Sequence, residues 1–185
     1  QEFDSDEIHK SFGLNPEKPT ILFFAGGEFG LGRNTTFMVL KALIRMFKEL
    51  QIVAISGRNK KMNKKFNDLV ISTKSEERIK ILEFTDKVPE LMSISDLVVT
   101  KPGGLTTTES LASGLPIVVI NPIPGQEEEN ATYLEENKVA IWIKKDDNVE
   151  EILNDLFSNP DKMQEMKIRA RIIAKRTSTA DICKI

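Results

Sequence analysis

Apolar residues along this chain fall into two alternating patterns. Short, unbroken runs rich in Ile, Val, Leu and Phe recur at 20–25, 51–56, 79–84, 96–100, 115–120 and 139–143. Longer stretches between them space their apolar residues three and four apart, as Leu40, Leu43, Phe47 and Leu50 do. The unbroken runs predict strands buried on both faces, the habit of parallel sheets. The spaced stretches predict amphipathic helices near 34–50, 60–71, 88–94, 106–113, 127–137, 149–157 and 161–175. Strand–helix alternation of this regularity predicts an α/β fold, a doubly wound, Rossmann-like parallel sheet with right-handed crossovers. Residues 20–185 read as that domain. Residues 1–19 are mostly polar and end in Asn15-Pro16-Glu17-Lys18-Pro19, so they read as an extended lead-in without a core element.

Composition narrows the classes. The 185 residues are 40% hydrophobic and 29% charged, the balance of one ordinary globular domain. Lys and Arg number 26 against 28 Asp and Glu, a formal net charge of −2, which lacks the basic excess of a dedicated nucleic-acid binder. A single cysteine, Cys183, excludes an internal disulfide framework and cysteine-rich zinc sites, and a single histidine, His9, removes most histidine chemistry. No apolar run reaches the ~18 residues that a membrane-spanning helix needs, and no leader peptide is visible. A reducing, cytoplasmic setting is expected. The chain begins with Gln rather than Met, which reads as a processed or excised piece of something longer.

In a doubly wound sheet the ligand crevice lies beyond the carboxyl ends of the strands. Three loops there have unusual composition. The first predicted strand runs into Gly26-Gly27-Glu28-Phe29-Gly30-Leu31-Gly32-Arg33 and then a helix, an arrangement that lets backbone amides approach an anion. It matches neither G-x-x-x-x-G-K-[ST] nor G-x-G-x-x-G, which weakens ATPase and dinucleotide readings. The fourth strand ends in Lys101-Pro102-Gly103-Gly104-Leu105-Thr106-Thr107-Thr108-Glu109. Amides from Gly104 to Thr106 and nearby hydroxyls suit a diphosphate held without metal, and Glu109, one turn on, suits a pair of vicinal hydroxyls. The fifth strand leads through Asn121-Pro122-Ile123-Pro124-Gly125 into Gln126, Glu127 and Asn130, amides and carboxylates of the kind sugar hydroxyls require. Glu128 and Glu129 read as ordinary acidic residues of a helix start. Phosphate, ribose and sugar sites thus share one rim, the pattern of a nucleotide-sugar donor site.

Lys101 to Glu109, Ala112-Ser113-Gly114-Leu115-Pro116 and Pro124 to Asn130 together resemble the C-terminal domain of glycosyltransferase family 28. Processive diacylglycerol glucosyltransferases and monogalactosyldiacylglycerol synthases are the nearest branches, and the peptidoglycan N-acetylglucosaminyltransferase is a more distant one. The likeness runs from Ile21 to Ile143. It implies the C-terminal half of a GT-B enzyme, with residues 1–19 as the remnant of an interdomain linker. By position it implies that Phe84-Thr85 meets the uracil chiefly through main chain, and that Ser56-Gly57-Arg58 lies near the nucleotide. It further implies that Gly103, Gly104, Leu105 and Thr106 hold the diphosphate, Glu109 the ribose, and Gln126, Glu127 and Asn130 the sugar. Gly26, Gly27 and Gly30 resemble the lipid-galactosyl branch. Arg33 is a candidate phosphate partner that need not match the phosphate-contacting arginine of the peptidoglycan branch.

The implied reaction is inverting, metal-independent transfer of a hexose from UDP-glucose or UDP-galactose to a lipid, with diacylglycerol as the expected acceptor. No cofactor is expected, and the candidate loops hold no Asp-x-Asp pair. The general base would lie in an N-terminal domain, which would also carry the acceptor site and membrane contact, placing the full enzyme at the inner face of the membrane. Three alternatives stay open: a non-catalytic nucleotide-sugar-binding module, N-acetylglucosaminyl transfer to a peptidoglycan lipid precursor, and a sugar-nucleotide epimerase. The basic run Arg58 to Phe66 reads either as a solvated helix face or as a contact for anionic headgroups.

Overall fold

In the computed structural model, residues 3–25 and 33–174 are described. Six strands form one parallel sheet: β1 Thr20–Phe24, β2 Gln51–Ile55, β3 Ile79–Leu82, β4 Leu97–Thr100, β5 Ile117–Ile120 and β6 Ala140–Ile143. Their spatial order is β3-β2-β1-β4-β5-β6, so the sequence direction of winding reverses between β1 and β4. Register is in step there, with Ile21 beside both Ile52 and Leu97. This is the doubly wound arrangement that the alternating pattern predicts.

Helices cover both faces: α1 Ser5–Phe12, α2 Arg33–Met46, α3 Lys60–Ser72, α4 Val88–Ser93, α5 Gly104–Ala112, α6 Gln126–Glu136, α7 Val149–Ser158 and α8 Pro160–Ile173. Successive strand residues point to opposite sides, so each strand feeds two cores. Ile21, Phe23, Ile52, Ala54, Leu97 and Val99 pack with Leu40, Leu43, Phe66 and Leu153 of α2, α3 and α7. On the other face Leu22, Val53 and Val98 meet Leu91 and Met92 of α4, while Ile117 and Val119 meet Leu111, Ala131 and Leu134 of α5 and α6. Helix α8 joins the two sides, with Met166 in the first core and Ala170 in the other.

Among the differences from the periodic reading, three are informative. Helix α2 stops at Met46 rather than running on to Leu50. The Arg78 guanidinium donates to the carbonyls of Ile44, Phe47 and Leu50, replacing the next helical turn. Partial burial lowers the Arg78 pKa, against an opposing pull from Glu49. Strand β3 ends at Leu82, leaving Glu83 and Phe84 outside the ladder.

The third difference is a correction. Residues 1–19 are not a featureless lead-in: they contain α1, capped by Asp4 at its start and by Gly13, at φ 62°, at its end. Ile8 is buried, and Leu14 enters the same core as Val53 and Leu91. Only two of the eight residues of α1 are buried, Ile8 and His9, so no long apolar stripe announced it.

Candidate functional site

All parallel strands deliver their carboxyl ends to one edge of the sheet. The crevice opens where the winding reverses, because α2 leaves β1 toward one face and α5 leaves β4 toward the other. Along this rim the strand order places Phe84 and Thr85 after β3, Ser56 and Gly57 after β2, and Gly103 to Thr106 after β4. Gln126, Glu127 and Asn130 follow β5. Gly26, Gly27 and Gly30, which belong after β1, lie outside the described residues. Of Arg33 only its place as the first residue of α2 is described.

Helix α5 begins without the usual protections. Its N-cap, Gly103, has no side chain to cap it, and its first turn contains no acid. The first amides of any helix lack an intrahelical acceptor, so Gly104, Leu105 and Thr106 present theirs, backed by the positive end of the helix dipole. The Thr107 amide is the first to close a helical bond, onto the Gly103 carbonyl at 2.9 Å. Among the described residues, a Cβ added at Gly104 would meet nothing within 4 Å, so none of them closes the space in front of these amides. Leu105 is 75% exposed beside them.

The three threonines of this turn differ in availability. Thr108 donates its hydroxyl to the Gly104 carbonyl at 2.8 Å and is committed to the helix. Thr106 is half-buried. Thr107 is 8% exposed, and its Oγ1 has no hydrogen-bond partner among the described residues. A buried hydroxyl left unpaired costs roughly 1–3 kcal/mol, so it marks a place where a partner belongs. The carboxylate of Glu109, half-buried one turn below Leu105, has no hydrogen bond or ion pair among the described residues. Lys101 sits half-buried at the end of β4 and also lacks an ion pair among them. The sequence reading passed over this lysine, although a cation directly ahead of Pro-Gly-Gly was its own signal.

The loop after β5 is built differently. Asn121 holds φ 46° and donates from Nδ2 to Thr36 Oγ1 at 2.8 Å, tying the loop to the first turn of α2. Gly125, at φ 99°, starts α6 in a conformation that side chains rarely adopt. Glu127 Oε2 accepts the Ile123 amide at 2.7 Å, closing the loop upon itself. Its other oxygen lies 4.0 Å from the Cβ position of Gly103. Asn130 donates from Nδ2 to the Pro102 carbonyl at 2.9 Å, which latches α6 to the turn preceding α5. Glu127 and Asn130 therefore hold the rim together with one atom each and leave Oε1 and Oδ1 for other work. Gln126 is exposed.

At the β2 and β3 ends the picture is tighter. Ser56 is buried, donates to the Leu82 carbonyl at 3.1 Å and accepts from Asn63 Nδ2 at 3.1 Å. It braces the rim with its hydroxyl occupied. Gly57, at φ 65°, turns the chain into α3. Phe84 is 77% exposed, and Thr85 Oγ1 accepts the Lys87 amide at 3.1 Å.

Other chemistry proves structural. His9 is buried in α1 and donates from Nδ1 to the Ser5 carbonyl at 2.7 Å. One Asp-x-Asp spacing does occur in the chain, Asp4-Ser5-Asp6, ahead of the candidate loops. There Asp4 Oδ1 accepts the amides of Asp6 and Glu7 as a helix cap. Trp142 and Met46 are half-buried at core margins, and Cys183 lies outside the described residues. An apolar groove of about 490 Å³ lies at the opposite edge of the sheet against Pro19, Met46, Phe47, Phe157 and Met163. Of its four charged residues, Lys167 is paired with Asp96 at 2.9 Å and Glu49 with Lys18 at 3.7 Å, which leaves Lys48. The rim is the better site.

Comparison with known proteins gives a family match and structural neighbours. The glycosyltransferase family 28 C-terminal domain matches residues 23–184. A processive diacylglycerol beta-glucosyltransferase of Bacillus licheniformis is 30% identical over 167 residues, covering 90% of this chain and 42% of that protein. The chain thus spans less than half the length of such a relative. Among solved structures, MurG of Acinetobacter baumannii superposes with a TM-score of 0.72 at 22% identity, over 97% of this chain and 52% of its own. HepE of Anabaena, in complex with UDP-glucose, gives 0.71 at 18% identity, over 97% and 50%.

Proposed function

The chain belongs to the glycosyltransferase family 28 C-terminal domain family, and on that premise we propose that it is the UDP-sugar donor-binding domain of an inverting glycosyltransferase that glycosylates a lipid. The observation that carries this reading is the start of α5: uncapped, free of acid, open in front of Gly104, with Lys101 at its side and Glu109 one turn below. That set fits a diphosphate joined to a ribose. Amides of Gly104, Leu105 and Thr106 take the phosphate oxygens, and Lys101 adds the balancing charge. Glu109 accepts from the ribose hydroxyls. Gln126, Glu127 Oε1 and Asn130 Oδ1 face the sugar, and the main chain at Phe84-Thr85 takes the uracil.

In the proposed reaction an acceptor hydroxyl oxygen attacks the anomeric carbon while the bond from that carbon to the diphosphate breaks. UDP departs with the bonding electron pair, and configuration inverts. Charge grows on the departing phosphate, where fixed amides and a helix dipole stabilise it without reorganising and without a divalent ion. The acceptor's proton passes to a base on the other domain, to which residues 1–19 connect. The resemblance to processive diacylglycerol beta-glucosyltransferases favours UDP-glucose as donor and diacylglycerol as acceptor. It also favours an enzyme working against the cytoplasmic membrane face.

Calorimetric titration of the chain with UDP, with and without EDTA, tests the donor site. Binding should survive EDTA, and Glu109→Ala should weaken it about tenfold, the loss of roughly one charge-assisted hydrogen bond. Glu128→Ala should leave it within twofold by the same measure. A folded chain that binds no UDP would sink the reading. UDP binding without any glycolipid product from the full-length protein, given diacylglycerol and UDP-glucose, would favour a non-catalytic module or another acceptor.

A further inference from the structure

Charge is distributed unevenly in this nearly neutral chain. Residues 33–67 carry nine Lys and Arg and a single acid, Glu49. The fold gathers much of that charge on one outer face. On α2, Met38, Lys41 and Arg45 follow at spacings of three and four, and on α3 so do Lys61, Lys64, Lys65 and Asp68. The other side of α3 buries Met62, Phe66 and Val70, which fixes the basic side outward. The two helices are neighbours, and between them runs a groove of about 480 Å³. Phe37 and Leu69 are its apolar lining, with Lys41, Arg45 and Lys65 as its cations. Its one acid, Asp68, is already paired with Lys64 at 2.9 Å.

We propose that this α2–α3 groove is a docking surface for the anionic headgroups of a lipid bilayer. Cations around an apolar floor match a phosphodiester with a glycerol and acyl stem beneath it, and the chain's overall negative charge makes the match local rather than general. Exposed Met38 and Ile71 flank the basic positions and supply apolar contact at the headgroup boundary. A nucleic acid fits less well. Base stacking needs open aromatic rings, and here Phe66 is fully buried and Phe37 half-buried. The surface is separate from the donor rim, and it rests on the lipid-acceptor reading only in giving the bilayer a purpose.

Flotation of the 185-residue chain with phosphatidylglycerol–phosphatidylcholine vesicles, against pure phosphatidylcholine, tests the assignment. Each basic side chain near an anionic surface contributes about 1 kcal/mol, a factor of about five. Lys41→Gln/Arg45→Gln/Lys65→Gln should therefore lower the partition coefficient on the order of a hundredfold. Lys10→Gln/Lys74→Gln/Lys145→Gln, an equal charge change elsewhere, should lower it by less than about fivefold. Binding should vanish at ~1 M salt, where screening is nearly complete. Equal losses in the two triple variants, or undiminished binding in the first, would overturn the proposal. So would a single-stranded oligonucleotide that displaces the vesicles and loses its own binding in the first variant, or self-association abolished by it. UDP titration of the same variants reports folding and separates the two ideas. If vesicle binding follows the expected pattern while no variant binds UDP, the donor reading falls and the docking surface stands.

Discussion

Helices α5 and α6 start one strand apart on the same rim, and both have a glycine N-cap with no side-chain hydrogen bond. They answer the same electrostatic problem in opposite ways. Helix α6 places Glu127, Glu128 and Glu129 in its first turn, and its own carboxylates neutralise the positive dipole end. Helix α5 places Leu105, Thr106 and Thr107 there and neutralises nothing. Its partner must come from outside the chain. The difference teaches that a glycine-led helix start is not a phosphate site by virtue of the glycine. It becomes one when the following turn withholds negative charge and leaves the approach open. The same logic agrees with the proposal that α6 serves hydroxyl groups, which accept hydrogen bonds from amides and donate them to carboxylates.

The sharpest way to break the contrast is to make α5 resemble α6. Thr106→Glu should lower UDP affinity at least a hundredfold by calorimetry, because like charges about 4 Å apart repel by ~4 kcal/mol at an effective dielectric of 20. The same substitution should raise the melting temperature slightly, since an acid in the first turn contributes about 0.3–1 kcal/mol. Affinity and stability moving in opposite directions would be the signature. If both fall, the turn is structural and the contrast fails.

The two glycines at the helix starts offer a second, smaller test. Gly125→Ala forces a side chain into φ 99° and should cost about 1–3 kcal/mol by urea denaturation. Gly104→Ala has empty space around it and should leave stability unchanged or raise it by up to ~1 kcal/mol. Its methyl would stand where the anion belongs, so UDP binding should fall about tenfold, ~1.4 kcal/mol. A stability loss at Gly104 equal to that at Gly125 would contradict the open approach.

The mildest effect is expected at the latch between the helices. Asn130→Ala removes the hydrogen bond to the Pro102 carbonyl and should cost about 1 kcal/mol of stability. UDP-glucose binding should weaken more than UDP binding if Asn130 faces the sugar as proposed and not the phosphates. Equal losses for the two ligands in parallel titrations would remove Asn130 from the sugar site.

Much of this arrangement was legible in the sequence. Unbroken runs such as Ile117-Val118-Val119-Ile120 have one physical meaning, burial on both faces, and the sheet follows from them. The glycines and threonines after β4 were legible as well, because composition alone separates an uncharged helix start from an acidic one. Helix α1 was not legible, since a short helix with only Ile8 and His9 buried offers no period to detect. The early end of α2 was hidden for a different reason: Arg78, more than thirty residues on, supplies the hydrogen bonds that stop it. Nor could a pattern reveal that Ser56 is occupied by Leu82 and Asn63, or that Thr108 serves its own helix. Those facts depend on where a hydroxyl finds its nearest acceptor, which only the folded chain decides.

The hydrogen bond from Asn121 to Thr36 carries a mechanical consequence. Together with the Asn130 latch, it couples the segment after β5 to α2 on one side and to the α5 turn on the other. Loops ordered only by an incoming ligand would charge about 0.5–1.5 kcal/mol per immobilised side chain against its affinity. Here that ordering is done during folding, so the jaw proposed to meet the sugar is rigid before any sugar arrives, and on that proposal binding energy is free to act on the bond that breaks.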